Sequence, residues 1–508
     1  MTHEQLYRDK LMPNSTTSLE DRLNRKDLLI NAAFVGGHWV STAEAEAEGR
    51  SLFQVKNPST GTVIATLPDM GRGGAKSAID AAYTAQKAWA AQTGKERAGV
   101  LRKWYDLMVA NADDLAAILT AEMGKPLAEA KGEILYGASF IEWFAEEAKR
   151  VYGDIIPGHQ PDKRIMVLKQ PVGVVASITP WNFPNAMIAR KVGPALAVGC
   201  AFVAKPAAET PLSALAMAKL AEEAGVPAGL LSIVTSKSSS EIGKEFCENE
   251  KVRQLTFTGS TEVGRILMKQ SADQVMKTSM ELGGNAPFIV FDDADLDAAV
   301  EGAMISKYRN NGQTCVCANR IYVQAGVYDA FAEKLTAAVE AMTIGDGFAD
   351  GVTAGPLISD AAVKKVEEHI KDATSQGASI ITGGKQHALG GTFFEPTVLK
   401  DVTRNMQVAS DETFGPVAPL FRFESVDDVI EQANDTIFGL ASYFYAKDLS
   451  KVWKVAEALE YGMVGVNTGL ISTEVAPFGG IKQSGQGREG SKYGCDDYLE
   501  IKYLCLAV

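Results

Sequence analysis

The sequence predicts an α/β protein: a doubly wound parallel sheet, a second α/β unit and a small β flap. Strand and helix patterns alternate from residue 173 onwards, which favours a parallel sheet with helices on both faces. A second alternating region extends from Pro287 to about Asn467. The length of 508 residues exceeds what one hydrophobic core usually holds, so we expect more than one packed unit.

The N-terminal part of the chain precedes these alternating regions. Residues 1–50 are polar and predict a loosely attached arm. Three long helical patterns follow, over about 72–91, 95–123 and 127–149. The middle pattern ends at Gly124-Lys125-Pro126, where a glycine and a proline are typical of a helix C-terminus.

A hairpin is predicted over 151–171, because two extended segments flank a turn at 157–161 that contains two prolines and a glycine. The strand-like segment 498–504 could pair with this hairpin. Since such a hairpin has little core of its own, it suggests an oligomer contact.

The two alternating regions supply the remaining elements. In the first, the predicted strands cover 174–178, 200–204, 231–234 and 255–258, and helical patterns end near 198, 224 and 246 and begin again at 261. In the second, strands are predicted near 287–291, 320–324, 417–423, 441–445 and 463–467.

Composition excludes several classes of partner. The net charge of -13 argues against nucleic acid and anionic membrane surfaces. Six cysteines in 508 residues do not form a disulfide framework, and no histidine pairs with a cysteine at a metal-ligand spacing. The N-terminus does not resemble a secretory signal, and no apolar run is long enough to span a bilayer, so a cytoplasmic protein without a metal is expected.

The candidate nucleophile is Cys315, which a Gly-Gln-Thr turn places in a loop just before a predicted strand. A thiol is the best nucleophile among side chains once its pKa is lowered or its proton is removed. A buried structural cysteine is the alternative, and it is the favoured interpretation of Cys317. The two thiols could also form a redox-sensitive pair.

Two further candidates stand at predicted strand ends. Asn182 lies in the loop 179–184, which two prolines hold rigid, and its amide could donate to a reacting carbonyl oxygen. A turn asparagine is the competing interpretation. Glu281 precedes two glycines and could be a general base, although most glutamates are simply solvated. No histidine occupies a convincing strand end, which disfavours a Cys/His hydrolase.

A nucleotide site is predicted at the strand-to-helix turn 258–264, where free N–H groups and the helix dipole favour a phosphate. An ordinary helix cap would have the same pattern. Lys205 follows a strand at the same sheet edge and could meet a ribose hydroxyl or a phosphate. The string 485–490 matches G-x-G-x-x-G, but no strand leads into it and no βαβ unit fits after it, so it is rejected.

Together these motifs resemble the aldehyde dehydrogenase superfamily from about residue 30 onwards. The matching pieces are 179–184, Lys205, Gly259-Ser260, Glu281-Leu282-Gly283-Gly284, Gly312-Gln313-Thr314-Cys315 and Glu412-Thr413-Phe414-Gly415-Pro416. Segments 313–320 and 477–485 look like the succinate-semialdehyde dehydrogenase branch. That resemblance implies a substrate-carboxylate site made of Arg190, Arg309 and Ser472, although either arginine could be a structural ion-pair partner instead.

The resemblance also implies the mechanism and the cofactor. The Cys315 thiolate attacks the aldehyde, Asn182 and the Cys315 N–H stabilise the oxyanion, and Glu281 activates water to hydrolyse a thioester. The implied cofactor-binding residues are Trp181, Asn182, Lys205, Pro206, Ala207, Ala208, Ser236, Gly259, Ser260, Leu282, Glu412 and Phe414.

The sequence favours NADP over NAD. NAD-preferring relatives often carry a glutamate three residues after the motif lysine, whereas Ala208 stands there in this chain and the carboxylate moves to Glu209. Alanine removes the repulsion that a 2′-phosphate would meet. Lys205, together with Ser236, could then bind that phosphate.

The expected organisation has four parts and a homo-oligomer, either a dimer or a tetramer. These parts are an arm at 1–30, a dinucleotide-binding domain at 31–150 and 173–285, a catalytic domain at 286–485, and an oligomerisation segment at 151–172 and 486–508. The expected reaction is oxidation of succinate semialdehyde. The alternatives are a dehydrogenase for glutarate semialdehyde or another ω-carboxylated aldehyde, a scaffold without activity, and a cysteine-dependent hydrolase.

Overall fold

The computed structural model describes residues 11–12 and 17–508. Its strands, in chain order, are β1 (Ala32–Val35), β2 (His38–Ser41), β3 (Leu52–Lys56), β4 (Val63–Pro68), β5 (Asp154–Ile156), β6 (Lys163–Pro171), β7 (Val174–Ile178), β8 (Ala201–Lys205), β9 (Leu231–Ile233), β10 (Val252–Thr258), β11 (Lys277–Glu281), β12 (Ala286–Val290), β13 (Ala318–Gln324), β14 (Ser379–Thr382), β15 (Thr397–Lys400), β16 (Val417–Phe423), β17 (Ala441–Tyr445), β18 (Met463–Val466), β19 (Gly485–Gln486) and β20 (Leu499–Ala507).

The α-helices, in chain order, are α1 (Leu19–Arg22), α2 (Thr42–Ala47), α3 (Gly71–Ala90), α4 (Gly94–Ala110), α5 (Ala112–Met123), α6 (Leu127–Glu147), α7 (Ala186–Val198), α8 (Leu212–Ala224), α9 (Ser239–Glu248), α10 (Thr261–Ser271), α11 (Leu296–Tyr308), α12 (Tyr328–Glu340), α13 (Asp360–Ser375), α14 (Gln407–Ser410), α15 (Val426–Asn434) and α16 (Leu449–Ala458). Short 3-10 turns include Arg309–Gly312, Lys482–Ser484 and Lys492–Tyr498.

The first sheet has eight strands in the order β19-β11-β10-β7-β8-β9-β1-β2. Strands β7 to β11 are parallel to one another, as the alternating pattern predicts. The chain runs from β7 outwards through β8 and β9, and then returns to the other side of β7 through β10 and β11. This reversal confirms the doubly wound topology, and it sets a crevice beside the ends of β7 and β10.

The second sheet has seven strands in the order β14-β15-β16-β13-β12-β17-β18. All of its neighbouring pairs are parallel except β14 with β15. Both sheets contribute to the crevice. The first contributes the carboxyl ends of its strands, whereas the second contributes the loops that lead into β13 and β16.

The predicted hairpin and its pairing with the later strand are confirmed. β5 and β6 form the hairpin, and β20 pairs antiparallel with β6 from Leu499–Pro171 to Ala507–Lys163. Together they make a separate three-stranded sheet. Among the residues described, no helix combines the length and apolar character needed to cross a bilayer.

The expectation of a loosely attached arm is wrong for the described part of residues 1–50. β1 pairs with both β2 and β9, so this segment extends the first sheet. Leu28 is fully buried, and the Asp114 carboxylate accepts hydrogen bonds from the backbone N–H groups of Asn24 and Arg25. The polar composition concealed these few apolar and backbone anchors. Residues 1–10 and 13–16 lie outside the described residues.

The helical pattern predicted over 95–123 is two helices, α4 and α5, separated at Asn111. Its side-chain amide donates to the Leu107 carbonyl at 2.7 Å, and its backbone leaves the helical region at φ -110° and ψ 20°. Asparagine competes with helix hydrogen bonding in this way. The predicted end at Gly124 is confirmed, because this residue adopts a left-handed φ of 92°.

Candidate active site

A cavity of about 390 Å³ lies where the two sheets meet, and it contains the candidate thiol. Eight predicted site residues line it, contributed by loops after β7, β10 and β11 and before β13 and β16: Trp181, Asn182, Gly259, Ser260, Leu282, Cys315, Glu412 and Phe414. These residues are up to 233 positions apart in the chain, so their convergence comes from the sheet topology. Sequence reasoning missed Ser359 and Lys365, which line the same cavity.

A strained turn carries Cys315 into the cavity. Asn310 and Asn311 adopt left-handed backbone angles, with φ of 51° and 54°. At Gly312 a Cβ would lie 2.2 Å from the Gly415 carbonyl oxygen, so only glycine fits there. Backbone strain of this kind is concentrated at functional sites.

The surroundings of Cys315 favour the protonated thiol. Burial raises the pKa of this thiol to about 12, and the nearby guanidinium of Arg190 only partly opposes that rise. Thiol chemistry at neutral pH therefore requires removal of the proton by a base or a further stabilisation of the thiolate. Cys317 is buried and directs its sulfur towards the Lys307 carbonyl at 3.2 Å, which fits the structural interpretation given to it.

Asn182 lies against the loop that carries the thiol. Its side-chain Nδ2 donates to the Gln313 carbonyl at 3.0 Å, and its Oδ1 has no hydrogen-bond partner among the described residues. The residue is 4% exposed. The structure thus brings the Asn182 amide and the Cys315 thiol to one cavity. The amide contacts Gln313, which precedes Cys315 by two residues in the chain.

Glu281 ends β11, as predicted, but it is not solvated. Its carboxylate is buried, and one oxygen has no hydrogen-bond partner among the described residues. Burial raises the pKa of Glu281 well above its usual value; the charge of Glu489 adds to this, while Arg190, Lys191 and Arg488 oppose it. Although Glu281 does not line the cavity, its charge also raises the pKa of Cys315.

Charged side chains missed by sequence reasoning surround Glu281. The Glu489 carboxylate pairs with both Arg190 and Lys191, and all three side chains are buried. Glu489 belongs to the rejected G-x-G-x-x-G string, and Lys191 directly follows a residue assigned to the substrate. The sequence around Lys191 and Glu489 does not indicate that these residues lie near Glu281, because β11, α7 and residue 489 are remote from one another in the chain.

The walls of the cavity are suited to a flat ring. The rings of Trp181 and Phe414 meet edge to face with centroids 5.5 Å apart. At Gly259 a Cβ would lie 2.4 Å from the Phe257 ring, so any side chain there would require that ring to move. Ser260 caps α10 by accepting from the Val263 N–H at 3.3 Å. This turn is therefore also an ordinary helix cap, which was the alternative interpretation of its sequence.

The loop after β11 fixes the position of the Glu412 side chain. Its Oε1 accepts from the Gly284 N–H at 3.0 Å, and burial raises the pKa of Glu412 to about 7. Leu282, from that same loop, packs beneath Gly264 of α10. Glu412 thus presents a carboxylate to the cavity from a position that a backbone donor fixes.

Lys205 lies outside this cavity at the end of β8. Its ammonium donates to the Ser239 hydroxyl at 2.7 Å, and burial lowers the pKa of Lys205 to about 8. Pro206 and Ala207 lead to Ala208, which lines a larger cavity of about 960 Å³ with Lys237. Ser236 does not meet Lys205, because its hydroxyl donates to the Asp69 carboxylate.

A third cavity, of about 690 Å³, holds two of the three residues assigned to a substrate carboxylate. Arg309, six residues before Cys315, and Ser472 line it together with Tyr136. Arg190 does not line it; its guanidinium pairs with Glu489 and lies 4.2 Å from the Phe478 ring centroid. Burial raises the pKa of Tyr136, opposed by Arg190 and Arg309, so both arginines lie close to this tyrosine.

Comparison with known proteins identifies relatives over almost the whole chain. The profile described as the aldehyde dehydrogenase family matches residues 44–504. A glutarate-semialdehyde dehydrogenase of Pseudomonas aeruginosa is 65% identical over 485 residues, covering 96% of this chain and 99% of the relative. The NADP(+) succinate-semialdehyde dehydrogenase of Escherichia coli is 62% identical over 487 residues, covering 96% of this chain and all of the relative.

A solved structure has the same fold. The crystal structure of an Escherichia coli NADP-dependent enzyme superposes with a TM-score of 0.94 at 61% identity. The match covers 96% of this chain and 100% of that one. The α/β fold with two parallel-sheet units is therefore shared over nearly the full length.

Proposed function

The chain belongs to the aldehyde dehydrogenase family, an oxidoreductase family, and we propose that it oxidises succinate semialdehyde to succinate with NADP. One observation carries this proposal: a single turn joins Arg309 in one cavity to Cys315 in the next. A short aldehyde with a terminal carboxylate would place its two ends at these two side chains. Relatives at 61–65% identity are named for succinate, glutarate or 3-sulfolactaldehyde substrates, which share an anionic group remote from the aldehyde.

The proposed mechanism begins with the thiol. Cys315 releases its proton to solvent, which reaches its partly exposed side chain, and its sulfur attacks the aldehyde carbon while the Asn182 amide and the Cys315 N–H stabilise the oxyanion. A bound nicotinamide would supply the hydride acceptor at this point. A thioester on Cys315 remains after oxidation. Glu281 then takes a proton from water, which attacks the thioester and releases the acid and the thiol.

The residues of the cavity fit a nicotinamide dinucleotide. Trp181 and Phe414 supply apolar ring walls, and the Glu412 carboxylate is available to ribose hydroxyls. The turn at Gly259 and Ser260 leads into the N-terminus of α10, where N–H groups favour phosphate. These observations support a role for the predicted cofactor residues, with Leu282 and Ser260 shaping the turn.

Arg309 and Ser472 are proposed to hold the substrate carboxylate. The charge of Arg190 acts on Tyr136, which lines the same cavity, and Arg190 is proposed to make this cavity more positive.

Replacing Arg309 with glutamine should lower kcat/KM for succinate semialdehyde roughly 10- to 100-fold, because a hydrogen bond to a charged group is worth about 1.5–3 kcal/mol. Steady-state kinetics with butanal, which lacks the carboxylate, provide the matched comparison. We expect the butanal value to change by less than about threefold. An equal loss for both aldehydes would remove Arg309 from substrate recognition.

NADP is the proposed cofactor because Ala208, where NAD-preferring relatives often carry a glutamate, has no charge to repel a 2′-phosphate. Ala208 lines the 960 Å³ cavity together with Glu209 and Lys237, and Lys205 is buried nearby. No carboxylate of the described residues lies within ion-pair distance of the Lys205 ammonium, although the charges of Glu209 and Asp69 raise its pKa against the effect of burial. An unpaired buried ammonium would gain from a phosphate. Since Ser236 is engaged by Asp69, the hydroxyl that accompanies Lys205 in this proposal is that of Ser239.

Replacing Ala208 with glutamate should reverse this preference. The introduced carboxylate would repel the 2′-phosphate, and like charges in contact cost several kcal/mol, so kcat/KM with NADP should fall about 100-fold. The value with NAD should stay within about threefold or rise. Ala208→Gln has nearly the same size without the charge and serves as the control. The assignment fails if the glutamine variant loses NADP activity as strongly as the glutamate variant.

Glutarate semialdehyde is the second candidate substrate. The cavity of about 690 Å³ is large for a four-carbon acid, and one methylene changes binding by only about 1–3 kcal/mol. Comparing kcat/KM for the four- and five-carbon semialdehydes, with both cofactors, decides between the two. The proposal for succinate semialdehyde fails if the five-carbon aldehyde is preferred.

A homo-oligomer is proposed through the sheet formed by β5, β6 and β20. Ile155, Ile501 and Tyr503 expose 87%, 72% and 61% of their surfaces on these strands. Apolar surface of this kind on a small sheet is costly in water. A second copy of the chain is therefore its proposed partner, as a dimer or tetramer, and light scattering measures the number of copies.

A further inference from the structure

Lys125 is a buried lysine that the sequence explains only as the residue before a helix-ending proline. It stands between α5 and α6 and is 2% exposed. Its ammonium pairs with the Glu133 carboxylate at 2.6 Å and donates to the backbone carbonyl of Asn182 at 2.8 Å. The ring of Phe183 lies 3.8 Å from the same nitrogen. Lys125 therefore reaches the loop that carries the proposed oxyanion donor.

Glu133 fixes the same loop at its other end. Its second oxygen accepts from the backbone N–H groups of Asn185 at 2.9 Å and Ala186 at 3.2 Å. These groups open α7, so the carboxylate occupies a helix N-terminus, where a negative charge is favoured. The Lys125–Glu133 pair thus holds both the carbonyl of residue 182 and the turn three residues later.

The thiol loop is attached to the same point. The Asn310 side-chain amide donates to the Asn182 carbonyl at 3.0 Å and to the Gln313 carbonyl at 3.2 Å. The Asn182 amide in turn donates to that Gln313 carbonyl. One backbone carbonyl therefore accepts from Lys125 and from Asn310, and this shared acceptor sets the position of the amide relative to Cys315.

Stability alone gives little reason for this arrangement. Burying a lysine and a glutamate carries a desolvation cost that their attraction offsets only with good geometry, and apolar replacements are often as stable. Burial lowers the pKa of Lys125, against the opposing effect of Glu133. A buried charge that donates to a carbonyl does supply a fixed direction, which an apolar side chain does not.

We propose that Lys125 is a positioning residue for aldehyde oxidation, acting through the Asn182 carbonyl to aim the side-chain amide of Asn182 at the reacting oxygen. Glu133 orients Lys125 through their ion pair. This inference rests on the proposed function, because it requires that the Asn182 amide stabilise the oxyanion.

The test is a double-mutant cycle on the full-length enzyme, with the pre-steady-state rate of NADPH formation as readout. Lys125→Met is combined with Glu133→Gln, so that no uncompensated carboxylate is left buried and the acceptor for the α7 N–H groups remains. This charge-neutral pair is made in the native and the Asn182→Ala backgrounds. Lys131→Met, which replaces an exposed lysine on α6, the helix that carries Glu133, is the matched control. Circular dichroism and NADPH fluorescence titration establish folding and cofactor affinity for each protein.

In the native background we expect the rate to fall about 10- to 100-fold, because a small misplacement of a donor costs up to about 10²-fold. In the Asn182→Ala background the same replacements should change it by less than about threefold, since the group they position is gone. Lys131→Met should match the native enzyme.

Two results would overturn the proposal: an unchanged rate in the native background, or the same fold-loss in both backgrounds. A charge-neutral pair that does not fold would also overturn it, since stability would then be its role. If Asn182→Ala alone leaves the rate unchanged, the failure lies in the proposed function instead.

Discussion

Replacing Cys315 with alanine should lower kcat for semialdehyde oxidation by roughly 10⁴-fold or more, because no other side chain in the cavity offers a comparable nucleophile. The thiol forms the covalent intermediate from which hydride leaves, so its loss removes both chemical steps together. NADP affinity, measured by fluorescence, should stay within about twofold, since the alanine leaves the ring walls intact.

Cys317→Ala is the matched control for this experiment. It removes a thiol only two residues away, whose sulfur contacts the Lys307 carbonyl and not the cavity. We expect its kcat to remain within about threefold of the native value. If both alanine variants keep comparable turnover, covalent catalysis by Cys315 is wrong.

Replacing Glu281 with glutamine should separate the two halves of the reaction. One equivalent of NADPH per subunit should still form rapidly, because attack and hydride loss do not need this carboxylate in the proposed mechanism. Steady-state turnover should then fall about 10²- to 10⁴-fold, the usual contribution of a general base, as the thioester accumulates. Rapid-mixing absorbance measures the burst, and mass spectrometry of the acid-quenched enzyme detects the acyl group.

The pH dependence gives an independent check of the same residue. A base acts only when deprotonated, and burial raises the pKa of Glu281 well above its usual range. Thioester hydrolysis in the native enzyme should therefore increase with pH through that raised pKa and decline below it. Glu281→Gln should lose this dependence. Normal steady-state turnover in the glutamine variant would exclude Glu281 as the base.

The sheet strands were predictable because buried parallel strands leave a strong local signal. Short runs of apolar residues bounded by glycine or proline predicted 174–178, 417–423 and 441–445, and these ranges coincide with β7, β16 and β17. Loop residues such as Asn182, after β7, and Cys315, before β13, were then brought together by the topology of the two sheets. Parallel strands place consecutive loops at one edge, so an order of motifs in the chain becomes a cluster in space.

The contacts behind these residues could not be predicted from local patterns. Lys125 and Glu489 contact the site from positions 57 and 208 residues away from Asn182 and Glu281, respectively, and each lies in a segment with a simpler explanation. Lys125 precedes a proline at a helix end, and Glu489 lies in a glycine-rich string. Arg190 shows the same limit, because the sequence could not distinguish a substrate contact from the ion pair with Glu489.

Local polarity was also misleading at the N-terminus. β1 joins the first sheet through backbone hydrogen bonds to β2 and β9, and its residues Ala33, Phe34 and Val35 are buried in the core. The polar composition of residues 1–50 as a whole predicted an arm, although the boundary expected at residue 31 already placed β1 in the dinucleotide-binding domain. The break at Asn111 was likewise not visible in the composition. The amphipathic pattern continues through this residue, but its side chain donates a hydrogen bond to the Leu107 carbonyl and the helix ends there.

The antiparallel pairing of β6 with β20 has a consequence for biosynthesis. The two strands are separated by more than 300 residues, so a ribosome adding about 5–20 residues per second completes β20 roughly 15–65 s after β6. During that interval one edge of β6 has no native strand to pair with and can accept a strand from another nascent chain. Translation speed and chaperone supply should therefore affect the yield of this protein more strongly than the stability of the folded protein affects that yield.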